Sequence, residues 1–446
     1  MPEPIDTTRI TARQRWARHW IRAHLVTAAA AGLLIAGPTS LTEIAVIPPA
    51  VIFLLFSPWT FHLWRDAWRR PVLVLLLAFA AWLAIGLVYS PNRDLGVEEF
   101  GNLRFFLVVL LLIPAFHLPS PGRGAADDAP LPGPGRSLTV AAVALGFLAG
   151  NVVQALNAWA LLGNGPESLD FGRLADRISG WWDSAVAGTV LTAALGLHLP
   201  AALMGRGRAR LVALGGSSVT LVALVATGSR GGWAASAALL LLTFAVGGFR
   251  ALRSGRGRAA FFASLATFLI VLGGTAFALR AQIGERIGRA HEQLTAAAEG
   301  HYDSVDGARL AMKKAALEAF LRHPIMGVGT GGFSAWAREH TGFTDEIHDH
   351  AHDTLLHAAA SNGLVGVVLL IAIAAAALLQ AWAWARPRGL GTYAAGPLFA
   401  LLGLIFTTPF DTLYVSGNAA AVTGMIVALC AHPPPRQGEP DDAREG

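Results

Sequence analysis

Long apolar stretches alternate with short polar links along almost the whole chain. A stretch of about 20 mostly apolar residues is read as a membrane-spanning helix. Twelve such stretches occur, at residues 24–37, 41–61, 71–89, 103–118, 137–163, 184–204, 211–227, 231–249, 260–279, 354–384, 392–408 and 414–431. The first follows a basic N-terminus, lacks a small-residue cleavage site and precedes further spans, so it reads as a retained signal anchor. The pattern predicts an all-α integral membrane protein of about 12 transmembrane helices. Residues 1–279 are expected to hold nine of them on short loops. Residues 280–353 form one long polar loop domain, residues 354–431 the last three helices, and residues 432–446 a disordered tail.

Composition agrees with this pattern. The 446 residues are 54% hydrophobic and only 14% charged, with a mean hydropathy of +0.50. A soluble domain is near a quarter charged, so soluble Rossmann, barrel and sandwich folds are excluded. The single cysteine, Cys430, excludes an internal disulfide and a cysteine-based metal cage.

The net charge of +5 matters less than where the charges lie. With the N-terminus cytoplasmic, the inner segments hold 21 Lys and Arg and the short outer segments 5. Positive charge favours the inside, so both termini are expected in the cytoplasm and the long loop on the outer face.

That loop has internal order. Residues 280–299 have helical spacing and prolong the preceding span. Asp303 to Asp306 offer N-caps to a helix over 306–322, whose Leu310, Leu317, Phe320 and Leu321 share one stripe. Arg309 and Lys313, four residues apart, share another face. Pro324 and the Gly-Val-Gly-Thr-Gly-Gly run at 327–332 end the helix. An amphipathic helix of this kind lies at a membrane interface and can roof a cavity.

Residues able to do chemistry gather on the same side. Arg230, in Thr-Gly-Ser-Arg-Gly-Gly-Trp at 227–233, sits at the outer end of an apolar segment. Arginine is costly at membrane depth and usually faces a cavity or a partner, and its fork suits phosphate oxygens. Taken alone it also reads as an arginine snorkelling at a helix end. Arg104 has a similar but weaker case. Arg173, Arg177, Arg230, Arg309 and Lys313 together suit a polyanionic group such as a pyrophosphate, or else anionic lipid.

Eight of the 14 histidines fall between His291 and His357, including the run His348, His350, His352. Their spacing matches no zinc signature, so no metal is assigned. A neutral histidine is a natural general base near pH 7, with Asp349 or Asp353 available to orient it. Asp411, in a short outer turn, can orient a histidine or pair with an arginine.

Three motifs resemble those of the O-antigen ligase and O-antigen polymerase family. They are Ser229-Arg230-Gly231-Gly232-Trp233; Arg309 with Phe320-Leu321-Arg322-His323-Pro324-Ile325-Met326-Gly327-Val328-Gly329; and Ala351-His352-Asp353-Thr354-Leu355-Leu356-His357 followed by Asn362-Gly363-Leu364-Val365-Gly366. Asp353 departs from the family, which more often has Asn after the histidine. The resemblance covers about residues 210–370 and implies a fold similar to the GT-C class of membrane glycosyltransferases. It implies transfer of a glycan from undecaprenyl pyrophosphate on the periplasmic face of the bacterial inner membrane, in the ligase branch to the terminal sugar of lipid A-core. In that role His352 or His350 is the base and Asp411 orients it. Arg230 and Arg309, with Arg177 and Lys313 behind them, stabilise the pyrophosphate leaving group. No cofactor, metal or nucleotide is expected, no nucleic acid is bound, and the partners are donor, acceptor and membrane lipids around a monomer.

Rival readings remain at this level. An O-antigen polymerase uses the same donor, and Arg177 with Gly188 matches an Arg-x10-Gly spacing described for polymerases. A protein O-oligosaccharyltransferase is expected to carry a further C-terminal region. A transporter or lipid flippase needs inverted repeats and midplane charges, and neither is evident.

Overall fold

A computed structural model describes residues 12–37, 39–45, 47–55, 70–107, 136–158, 182–254, 257–341 and 349–431. Their helices are α1 (Ala12–Ile35), α2 (Thr39–Ile44), α3 (Ile47–Leu55), α4 (Pro71–Tyr89), α5 (Arg93–Asn102), α6 (Arg104–Leu107), α7 (Arg136–Ala158), α8 (Ser184–Met204), α9 (Gly207–Ala226), α10 (Arg230–Ser254), α11 (Arg258–Ala278), α12 (Arg280–Ala298), α13 (Val305–Arg322), α14 (Phe333–His340), α15 (Thr354–Arg388), α16 (Gly396–Thr407) and α17 (Gly417–Cys430). No strand occurs among the described residues. Six helices, α4, α8, α9, α10, α11 and α15, are long and apolar enough to cross a membrane, and shorter apolar helices lie within α1, α7, α16 with its preceding 3-10 turn, and α17.

Helix α8 is the central post. It coincides with the predicted stretch 184–204, its apolar window is entirely buried, and it packs against α9, α10 and α16. Its small residues allow that closeness. At Gly188 a Cβ would come within 2.4 Å of Ser229 Oγ and 3.1 Å of Gly232 Cα, so α10 can start against α8 only if that position is glycine. Asp183 caps the N-terminal end of α8, its carboxylate accepting from the N–H groups of Ala185 and Val186 at 2.7 and 3.1 Å.

One expectation is corrected. The predicted stretch 41–61 is not one helix where described: α2 ends at Ile44 and α3 restarts at Ile47, with Pro48 and Pro49 in its first turn, a position proline favours. The face that α13 packs against its neighbours is its small-residue side. Gly307, Ala311, Met312, Ala315, Ala316 and Ala319 are buried, while Leu317 and Leu321 stay exposed. The alanine side lets α13 lie close to α15 and leaves the leucines for surroundings outside the protein. The cap of α13 falls within the expected 303–306 stretch: Ser304 Oγ accepts from Gly307 N–H at 3.0 Å.

The long loop is tied into the helices by a break in α15. Gly363 has φ +64, and a Cβ there would meet Ile325 O at 2.2 Å. At the break the carbonyls of Ala360 and Ser361 accept instead from Val328 and Gly329 N–H, each at 2.9 Å, and Leu364 N–H donates to Pro324 O at 2.8 Å. Trp82 of α4 adds a hydrogen bond from Nε1 to Asn362 O at 2.9 Å. The Pro324–Gly329 and Asn362–Gly363 motifs therefore interlock as scaffold, and the chemistry is left to the segments on either side.

Candidate functional site

A cavity of about 410 Å³ opens where α8, α10, α12, α13, the 350–353 segment and the 408–416 turn meet. Its wall includes Arg230, Arg309, Lys313, His352 and Asp411, five of the seven residues singled out from sequence. His350 lies behind the wall against His352, their ring centres 4.4 Å apart. Arg177 and His348 lie outside the described residues. Arg104 turns to the carbonyl of Gly101 at 2.9 Å and to the Phe105 ring, and does not line the cavity.

Arg230 is set by the local chain. Gly228, at φ +64, turns the backbone, and Ser229 Oγ accepts from Gly232 N–H at 3.3 Å at the start of α10. Gly231 lies against Phe410, where a Cβ would be 2.5 Å from the phenylalanine Cβ. The glycines thus seat Arg230 between α8 and the Asp411 turn. Its Nη2 donates to Asp306 Oδ1 at 2.5 Å.

Arg309 and Lys313 face the cavity together, as their i,i+4 spacing predicts. They differ in how they are held. Lys313 Nζ donates to the Pro409 carbonyl and lies 3.5 Å from Asp353 Oδ2, so it straps α13 to the turn and to the start of α15. Arg309 has no ion pair or hydrogen bond among the described residues and attracts the Asp411 carboxylate through space.

Asp353 is a helix cap. Its Oδ1 accepts from Leu355 and Leu356 N–H at 3.1 and 3.0 Å. An asparagine oxygen can do the same, which accounts for the exchange at this position. His352, just before it, is the one non-glycine residue with positive φ among those described, at +49. Such a conformation is uncommon outside glycine and costs on the order of 1–2 kcal/mol. It turns His352 into the cavity while Asp353 starts the helix.

Asp411 is buried beside these groups. Thr189 Oγ1 donates to its Oδ2 at 2.9 Å, Thr412 N–H donates to its Oδ1 at 2.8 Å, and Thr354 Oγ1 donates to its carbonyl at 2.7 Å. Burial pushes the Asp411 carboxyl up to about 6, opposed by the Thr189 and Thr412 hydrogen bonds and by Arg309, and reinforced by Asp183. Burial, with His357 adding to it, moves His350 down to about 4 against the pull of Glu99, Asp349 and Asp183, so its imidazole is neutral near pH 7.

His350, His352 and Asp411 bring their donor atoms within 4.8 Å of one another. A tetrahedral zinc bound at about 2.1 Å needs ligand atoms about 3.4 Å apart. The three groups could hold a metal ion, which their spacing in the sequence does not suggest.

Some site residues carry no sequence signal. Asp306 is read as a cap yet holds Arg230. Thr189 lies inside an apolar helix. Glu99 sits in a short polar link that resembles a solvated loop, yet it is 1% exposed and bonded to His357.

These features define a multi-helix membrane protein with a polar cavity built from cations, a histidine pair and one buried carboxylate. Residues 215–371 match the family model described as O-antigen ligase, and the match supports the O-antigen ligase and polymerase family for this chain. It spans Arg230, Arg309, Lys313, His350 and His352 but stops short of Asp411. Members of that family are membrane glycosyltransferase-type enzymes of the bacterial inner membrane that use lipid-linked glycan donors. No curated protein matches the chain.

Proposed function

We propose that the protein is an O-antigen ligase, moving a glycan from undecaprenyl pyrophosphate to the terminal sugar of lipid A-core. The reading carries with it a GT-C-like fold of twelve spans, cytoplasmic termini and a cavity that faces the periplasm. One observation supports it above others: Arg230, Arg309, Lys313, His352 and Asp411, from four separate segments, line a single cavity.

In this mechanism a hydroxyl of the acceptor sugar attacks the anomeric carbon from the face opposite the carrier. Its O–H proton goes to His352, the anomeric C–O bond breaks, and the bonding pair leaves with the pyrophosphate. Configuration inverts. Arg309, which has no ion pair among the described residues, and Arg230 balance the charge that grows on the leaving group. Lys313 adds positive charge while bracing α13, and Arg177 is a further candidate cation. Asp411 steadies Arg309 and the histidine pair. His350, neutral near pH 7, is the alternative base.

Arginines can neutralise pyrophosphate in place of Mg²⁺. The reaction is therefore proposed to need no metal: activity persists after thorough chelation, and a requirement for added metal would overturn this part.

Purified protein reconstituted with undecaprenyl-pyrophosphate-linked glycan and lipid A-core tests the whole reading. A gel shift of the core, lost in His352→Ala and Arg230→Ala, is the expected result. A ladder of longer lipid-linked glycans with no shifted core would make the protein a polymerase. Glycan on an added acceptor protein would make it a protein O-oligosaccharyltransferase. Absence of every product from folded protein would return the reading to a transporter.

A further inference from the structure

Behind the histidine pair lies a carboxylate that the mechanism above does not use. Glu99, on α5, is 1% exposed, and His357, in the first turn of α15, is 0% exposed. His357 Nε2 lies 3.2 Å from Glu99 Oε1, and Gly331 N–H donates to Glu99 Oε2 at 2.9 Å. A carboxylate this deep must be matched by donors or by a cation. Two donors are present, and the histidine is one of them.

The other nitrogen of His357 decides what the pair can do. With Nε2–H turned to Glu99, Nδ1 keeps its lone pair, and that buried atom has no hydrogen-bond partner among the described residues. Phe333, Tyr414 and His350 pack around the ring. The Tyr414 hydroxyl accepts from Asn362 Nδ2 at 3.5 Å, and His350, edge-on at 6.5 Å between ring centres, is the histidine beside His357. His350 in turn packs on His352. The other ionisable groups acting on this cluster are Asp349 on its own segment, Asp183 at the start of α8 and Asp411 on the outer turn.

We propose that Glu99 is a positioning residue that holds His357 with its proton on Nε2, so that Nδ1 serves as a second proton acceptor behind the base. The proposal rests on the transferase reading above. The acceptor O–H bond breaks, His352 takes the proton, and the proton passes by way of His350, whose ring must turn to close the gap to the unpaired atom, to Nδ1 of His357. The imidazolium formed there is balanced by Glu99, and the proton later returns to water. No electron pair moves beyond those of the glycosyl transfer.

The test compares wild type, Glu99→Gln and His357→Gln. Two quantities are read: ¹⁵N spectra of histidine-labelled protein, in which the His357 signal is the one missing from His357→Gln, and kcat and donor KM for transfer. Wild type is expected to show the Nε2–H form of His357. Glu99→Gln is expected to change that signal and to lower kcat on the order of tenfold to a hundredfold, with donor KM within about twofold. His357→Gln, which still offers an N–H to Glu99 but cannot hold a proton, is expected to show the same loss of kcat and carries the test if Glu99→Gln does not fold. An unchanged His357 signal and rate in folded Glu99→Gln would overturn the proposal, as would a wild-type His357 protonated only on Nδ1. A loss confined to KM or thermal stability would reduce Glu99 to a packing role and overturn it too. If wild type transfers no glycan, the function above fails while the spectra still report on Glu99.

Discussion

Arg230 Nη2 and Asp306 Oδ1 meet at 2.5 Å across the cavity, although 76 residues separate them in the chain. The pair joins the start of α10 to the start of α13 and, in the proposed mechanism, occupies the guanidinium that a pyrophosphate oxygen would need. Donor binding must therefore compete with Asp306. Arg230→Ala is expected to lower transfer about 10²–10³-fold. Asp306→Asn frees the guanidinium and is expected to lower donor KM at little change in thermal stability, since partly exposed pairs are worth only about 0–1 kcal/mol. Initial rates against donor concentration separate the two, and a raised KM in Asp306→Asn would show that the carboxylate aids the donor.

His352 combines a strained backbone with the proposed chemistry. At φ +49 glycine is the relaxed residue and asparagine is better tolerated than most. His352→Gly and His352→Asn are expected to lose transfer by about 10²–10⁴-fold while melting no lower than wild type. Thermal melts beside rate assays check this. A variant that melts much lower would mean that the imidazole packs the loop in place of serving as a base.

What the chain reveals by itself follows from the range of the forces involved. Apolar length is a local property, so helices such as α4 and α8 are readable to within a residue of where they lie. The i,i+4 pair Arg309 and Lys313 is local too, and the two do share the cavity wall. Which face of α13 packs is not local. The leucine stripe is visible in the sequence, but which side meets α15 is not, and close approach selects the alanines. Glu99 and Asp306 are invisible for the same reason: each gains its partner, His357 or Arg230, from a distant segment. The glycines were legible as motifs, and only the packing explains them, Gly363 through a helix break and Gly188 through contact with Ser229.

Gly188 gives a test of that packing. A Cβ added there would come within 2.4 Å of Ser229 Oγ and 3.1 Å of Gly232 Cα. The second contact is with backbone, which cannot rotate away, so α10 must shift and carry Arg230 with it. Gly188→Ala is expected to destabilise by about 1–3 kcal/mol and to reduce transfer even at temperatures where the protein stays folded. Melting curves and rates at low temperature measure the two effects. Wild-type stability and activity together would mean that α8 and α10 have room to spare.

The pH dependence of transfer is expected to report on Asp411. Its carboxyl titrates at about 6 because burial disfavours the charge. Above that pH it is ionised, accepts from Thr189 and attracts Arg309; below it the charge is gone and both groups are held less well. The rate should therefore rise with pH through about 6 and level off toward neutrality. His350, at about 4, is neutral throughout that range and adds no limb to it. Stability runs the other way. A carboxyl raised above its unfolded value of 3.8 favours the folded state when protonated, and this contribution is lost as pH rises through about 6. Asp411→Asn should consequently flatten the limb near pH 6, lower the plateau rate, and melt higher than wild type at pH 8. Rate profiles from pH 5 to 8 and melts at both ends provide the check. A limb near pH 6 that survives in Asp411→Asn would assign that titration to another group, and an unchanged plateau rate beside it would remove Asp411 from the site chemistry.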